Sequence, residues 1–296
     1  MNEVLSNVLQ DQFACSHSNN NIKPSTYAVA VWRAAHQILE QPPIFEDPIA
    51  LSILGDAKGD VTDKLELHKH PLSTAMRVAI AARSRFAEDE RKKSLTDGTY
   101  QYVILGAGLD SYAYRNNDQY ENVFEVDLPS TQAVKIAGIR QLGITPTCKV
   151  SYVACDFEKN SLGEKLHSSG FDQHQKAFFS WLGVVPYLDI TAIEETLRFV
   201  ASCARGSAMV FDYIVDNDNL NEMEKLVVNA LSNQLAAGGE PLKSFFDPQL
   251  LKKKLEDLGF TQIKDIGPDY LNEHYLSSRE DGLRVGNVTR MFKVTV

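Results

Sequence analysis

From Asp97-Gly98 onward, short apolar runs alternate with helical patterns. The runs cover 100–105, 122–126, 150–155, 177–182, 208–213, 261–266 and 288–294. Helical periodicity fills most of the gaps, at 130–142, 191–204, 220–235 and 248–258. Seven strands with helical crossovers predict a mostly parallel, doubly wound α/β sheet of Rossmann-like type. Ahead of it, "STYAVAVWRAAHQIL" opens with a capping Ser or Thr and carries an apolar stripe, and "PLSTAMRVAIAARSRFAEDERKK" reads as a longer helix. The proline-punctuated "PPIFEDPIA" joins the two. The expected division is an N-terminal arm and helical cap over 1–97 and a core over 98–296. Residues 267–287 are read as an insertion that covers the substrate. "SHSNNN" (16–21) reads as a loop or an arm. A length of 296 residues suits one large domain with a cap.

Charge narrows the partners. A net charge of −9 disfavours nucleic acid and anionic membranes. No apolar run approaches the roughly 18–20 residues that a membrane helix needs. The four cysteines, Cys15, Cys148, Cys155 and Cys203, are scattered without a C-x-x-C pair. That argues against a disulfide framework or a metal centre and fits a reducing, cytoplasmic location. His68 and His70 flank Lys69 in a polar stretch and are read as exposed.

The first strand runs into a glycine turn, "YVILGAGLDSYAYR". In a doubly wound sheet, ligands bind at the carboxyl ends of the strands, which is where Gly106 and Gly108 fall. Glycine there lets the backbone turn tightly and a ligand come close. The next strand ends in Asp127, 19 residues after Gly108. An acid at that offset accepts hydrogen bonds from ribose hydroxyls. Two nucleotide classes compete. An NAD-type fingerprint requires glycine where Ser111 stands, and Asp110 sits where a pyrophosphate would have to approach. S-adenosylmethionine has no phosphate and carries a sulfonium cation, so an acidic rim suits it. Asp156, just past the third strand in "VACDFE", can receive an adenine amino group, with Phe157 along the ring. The methionine carboxylate needs a cation, best an arginine fork, and Arg33, Arg77, Arg83 and Arg85 are all candidates.

"VILGAGLDSYAYR", "VFEVDLP", "ACDF", "WLGVVPYL" and "GEPLKSFFDPQLL" with its "YLSSREDGL" together resemble the leucine carboxyl methyltransferase family. Within it they are most similar to the bacterial branch of small-molecule O-methyltransferases, which includes polyketide carboxyl methyltransferases. The resemblance runs from about residue 25 to the C-terminus. It implies a class I S-adenosylmethionine-dependent methyltransferase fold. By motif, Arg83 of "AARSRF" would clamp the methionine carboxylate, and Gly106 would offer its backbone. Asp127 would hold the ribose, Asp156 and Phe157 would meet the adenine, and Arg33 of "AVWRAAHQ" would lie near the donor. Two positions depart from the family. Leu182 stands where a Glu is common, and Tyr112 replaces a basic residue, so the family's local ion pair cannot form; Ser111 can still cap the helix. Both departures point away from the phosphatase-modifying enzyme.

Methyl transfer chiefly requires alignment of nucleophile and methyl group. A carboxylate acceptor, with a pKa of about 4, is already ionised at neutral pH, whereas a phenol or alcohol needs a base such as histidine. Tyr187, after "WLGVVP", and His274, Tyr275, Arg279 and Arg284 of "HYLSSREDGLR" are the candidates for the acceptor side. Trp32 and Trp181 could line a pocket but fit core packing better. The expected function is S-adenosylmethionine-dependent O-methylation of a small-molecule carboxylate. The alternatives are a hydroxyl O-methyltransferase, an NAD-linked oxidoreductase, or a non-catalytic donor-binding protein, the last suggested by Leu182. The sequence leaves the acceptor's identity and the oligomeric state open.

Overall fold

The computed structural model describes residues 22–116 and 118–296. Cys15 and the 16–21 stretch lie outside them. The core strands are β1 Gln101–Leu105, β2 Asn122–Asp127, β3 Lys149–Ala154, β4 Ala177–Trp181, β5 Ala208–Ile214, β6 Gln262–Ile266 and β7 Thr289–Thr295. Each lies within about a residue of its expected position. They form one seven-stranded sheet in the order β3-β2-β1-β4-β5-β7-β6, with β7 antiparallel to both neighbours and the other pairings parallel. The central strands β1, β4 and β5 are buried at every residue. Helices cover both faces there, so these strands read as nearly continuous apolar runs and do not alternate.

Two long helices precede the sheet, α1 Pro24–Leu39 and α2 Pro71–Thr96. No Ser or Thr side chain caps α1. Lys23 holds the N-cap position, Pro24 supplies a preset φ at the first turn, and the Ser25 hydroxyl is engaged elsewhere. α1 packs along α2, where Ala28 and Trp32 join Ile80, while Ala34 and Ala35 face Ala50, Leu54 and Val61. α2 lies against the sheet, where Val78, Ala81, Ala82 and Phe86 join Tyr102, Ile104 and Phe178 in one apolar cluster. Its Arg77 is buried against Glu40 at 2.7 Å. The crossovers supply α3 Pro129–Gln141, α4 Leu162–Ser168, α5 Ile190–Ala201, α6 Glu222–Ala237 and α7 Pro248–Asp257. No described helix is long and apolar enough to cross a membrane.

His68 is not exposed. It is 2% accessible, and its Nε2 lies 3.0 Å from the Asp60 carbonyl. His70 is half-buried and caps α2, its Nδ1 accepting the Leu72 N–H. Hydropathy of the neighbouring residues misjudged both, because their burial is set by how α1 and α2 close over them. The 267–287 segment forms short helical turns that pack on the outer flank of α2. There Tyr275 donates to Asp89 at 3.0 Å, and Tyr270 meets Phe86 edge-on. The described cysteines, Cys148, Cys155 and Cys203, are free and buried.

Candidate active site

Strand register brings the expected ligand residues to one edge. Leu105 is paired with Val126 on one side and Trp181 on the other, and Asp127 with Ala154. The turns after β1, β2, β3 and β4 therefore open at one level, at the switch point between β1 and β4 where the strand order reverses. A cavity of about 510 Å³ lies there. Gly106, Gly108, Asp127, Asp156, Phe157, Arg83, Arg33 and Tyr187 all line it. His274 and Arg279 do not, nor does any other residue of the 267–287 segment. The cover comes instead from the start of α1 and from the loop after α6, where Ser25 donates through its N–H and hydroxyl to the Glu240 carboxylate at 2.8 and 2.9 Å.

Gly106 has φ +72°, and a Cβ there would come 2.1 Å from Cγ2 of Val184. Only glycine fits. The turn it opens is fixed by Asp127, which accepts the Gly108 N–H at 2.6 Å and the Leu128 N–H at 2.7 Å. Burial raises the Asp127 pKa, and those two N–H bonds work against the shift. Asp156 is half-buried at the rim, paired with Lys159 at 2.8 Å, and this partner lowers its pKa. The Phe157 ring lies 6.0 Å from that of Trp181, which is itself fully buried.

The helix after the glycine turn is a single turn, Tyr112–Arg115. A dinucleotide site needs a long helix whose first N–H groups meet the pyrophosphate, and so short a helix offers little of that field. The Ser111 side chain does not cap it. Asp110 does, accepting the Tyr112 N–H at 2.7 Å, while Ser111 accepts from Arg115 at 2.9 Å. Asp110 is not a bare repulsive anion either, because Arg33 pairs with it at 2.8 Å. Burial opposes its charge, but Arg33 and then Arg115 outweigh burial and hold it ionised. Where the family carries a basic residue, the Tyr112 hydroxyl donates to Glu121 at 2.9 Å, and Arg91 of α2 supplies the charge instead.

The four candidate arginines now separate. Arg77 is committed to Glu40, Arg85 to Asp89, and Arg33 to Asp47 and Asp110. Arg83 donates from one Nη to Asp212 at 2.6 Å, and its buried Nε has no hydrogen-bond partner among the described residues. Ile80, Arg83, Ser84, Ala87 and Glu88 share one face of α2, at the spacing that points side chains together. Asp212 also accepts the Gly183 N–H at 2.6 Å, beside Leu182. Sequence reasoning missed Asp212. Its signal was present, an acid inside the apolar run "AMVFDYI".

A family model described as leucine carboxyl methyltransferase matches residues 26–201. The chain belongs to the leucine carboxyl methyltransferase family. Among its relatives is a candidate S-adenosyl-L-methionine-dependent methyltransferase, YktD, of Bacillus subtilis (strain 168). It is 30% identical over 284 residues, covering 85% of this chain and 90% of that protein. Another, of the same description, comes from Mycobacterium ulcerans (strain Agy99), 32% identical over 67% of each chain. The fold matches the structure of a candidate methyltransferase from Thermobifida fusca YX with a TM-score of 0.52 at 18% identity, over 82% of this chain and 91% of that one. It also matches a DUF574 family protein from Streptomyces avermitilis, with a TM-score of 0.55 at 15% identity, over 82% and 94%. This member of the leucine carboxyl methyltransferase family is an S-adenosylmethionine-dependent methyltransferase. Its site fits that donor: the cavity is large enough for a nucleoside with its side chain, Gly106 and Gly108 line it with backbone alone, and Arg83 retains a buried donor.

Proposed function

We propose that this methyltransferase esterifies a carboxylate of a small molecule. The observation that carries the reading is the set of titratable groups in the cavity wall and their partners. Among the described residues, no histidine lines it. Its carboxylates are held: Asp110 by Arg33, Glu88 by Arg115, Asp127 by two backbone N–H groups, Asp156 by Lys159, Glu158 by Lys243 and Glu240 by Ser25. The Tyr187 phenol is pushed up to about 12, by burial first and then by Glu240. It stays neutral at physiological pH and donates a hydrogen bond rather than accepting a proton. Such a wall can orient an acceptor that is already ionised and is poorly equipped to deprotonate a hydroxyl.

When bound, the donor presents a methyl group on a sulfonium whose bonding electrons leave with the sulfur, so transfer to an ionised oxygen moves no proton. The chain's residues divide the remaining work. Arg83, steadied by Asp212, takes the donor's carboxylate, and the Gly106 turn its backbone contacts. Asp127 takes the ribose, and Asp156 with Phe157 the adenine. Tyr187 orients the acceptor carboxylate. His274 is excluded as a base on this reading, since its ring stacks on Tyr270 at 3.8 Å outside the cavity, and Arg279 pairs with Asp281.

Single-turnover rates with a panel of carboxylic acids test this. Between about pH 6 and 8 the chemical step should be flat, because an acid of pKa about 4 is ionised throughout. Mass spectrometry should find a methyl ester. An ether product, or a rate that rises with an apparent pKa of about 6–7, would give the activity to the hydroxyl alternative.

A further inference from the structure

We infer that Arg33 is a positioning residue for the methyl donor: it acts through Asp110 on the glycine turn and does not bind the donor's carboxylate. The geometry has three parts. First, both ends of the Arg33 fork are occupied. Its Nη2 meets Asp47 at 2.6 Å and its Nη1 meets Asp110 at 2.8 Å, and the guanidinium lies 5.3 Å from the centre of the Phe45 ring. The same ring carries Arg115 on it at 4.9 Å, and Arg115 holds Glu88 of α2. Arg33 is thus clamped by two acids and an aromatic face, with each Nη already bonded to a carboxylate.

Second, Asp110 has two duties that need both of its oxygens. Oδ2 takes Arg33, and Oδ1 takes the Tyr112 N–H at 2.7 Å. Asp110 closes the turn that Gly106 opens, with its own N–H bonded to the Ala107 carbonyl at 2.8 Å. At the middle of that turn, Gly108 is bonded to Asp127. The turn is therefore held at two points, by Asp127 from β2 and by Arg33 from α1.

Third, α1 reaches the site at both levels. Its first turn binds Glu240 of the covering loop through Ser25, and two turns later Arg33 binds the glycine turn. Thr26 and Ala30 between them line the cavity. Displacing Arg33 releases the turn from the helix that also carries the cover.

The distinguishing experiment compares two ligands by calorimetry. S-adenosylhomocysteine has the amino-acid carboxylate, and 5′-methylthioadenosine lacks it. Arg33→Met should weaken both by the same factor, roughly tenfold, the worth of a charge-assisted contact. Asp110→Asn, left with one oxygen for two donors, should cost about as much. The double variant should be no worse than either single one, since both remove the same link. A loss confined to S-adenosylhomocysteine would overturn the inference and make Arg33 a direct carboxylate ligand. Unchanged affinity for both ligands in folded Arg33→Met would overturn it too, leaving the pair a purely structural one. Should Arg33→Met fail to fold, Arg33→Lys keeps the charge and one of the two acids. It should show a smaller loss, again equal for the two ligands, and a loss for one ligand only would refute the positioning role.

Discussion

Arg83 and Asp212, 129 residues apart, meet at 2.6 Å beneath the cavity, and the other Asp212 oxygen takes the Gly183 N–H at the same distance. One buried acid therefore sets both the arginine's orientation and the backbone turn after β4. Gly183 has φ +70°, and a Cβ there would come 2.8 Å from an Arg83 Nη. The guanidinium lies directly against the main chain. That contact explains why the position after Leu182 is glycine and why the arginine has one defined pose.

Arg83→Lys should consequently be nearly as damaging as Arg83→Ala. Lysine keeps the charge but cannot bond Asp212 and a ligand carboxylate through one planar fork. Affinity for S-adenosylhomocysteine should fall at least about tenfold in both variants. Calorimetry with full affinity in the lysine variant would remove Arg83 from the proposed clamp.

Gly106→Ala should cost both stability and binding. The left-handed φ alone is worth about 1–2 kcal/mol against any residue with a Cβ. The contact with Val184 adds to it, because Val184 is itself packed against the core. Urea unfolding measures the first effect. Pairing the change with Val184→Ala should recover part of the loss by relieving the overlap but not the φ penalty.

Glu40 gives the cap an acid sensitivity of definite sign. Burial opposes its charge, but hydrogen bonds from His36 and Arg77 outweigh burial, and its pKa in the folded state is lowered. A lowered folded pKa means that the unfolded chain binds the proton more readily. The stabilisation is therefore present above the ordinary glutamate pKa of about 4.3 and is lost as pH falls through the folded value. Glu40→Gln should destabilise by about 3–5 kcal/mol at pH 7, as breaking a buried pair does. The difference from wild type should shrink in urea unfolding at pH 3.5, and a gap that stayed constant with pH would contradict the assignment.

The sheet and the cavity wall at the ends of its strands were legible because they obey local rules. Apolar runs bounded by turn residues located all seven strands. A glycine turn after the first strand and acids after the second and third fall at one sheet edge in any doubly wound order. The far wall of the cavity was not legible. His274 and Arg279 have suitable chemistry, but nothing in a linear pattern says that their segment folds onto the outer flank of α2. Ser25 and Glu240, separated by 215 residues, close the cavity instead.

The sequence by itself determined the fold class, the order of the elements and many of the residues that line the cavity, because strand periodicity and turn chemistry act over a few residues. Only the tertiary structure decided which charges are spent. Four arginines of α1 and α2 look alike as a string. All four find acids brought near by packing, Arg33, Arg77 and Arg85 as well as Arg83, but of the four Arg83 alone keeps a buried Nε without a partner among the described residues. The reason is physical. Whether a guanidinium is free depends on which carboxylates the closing of α1 over α2 and the sheet brings within about 3 Å, and that distance is a property of packing between segments far apart in the chain.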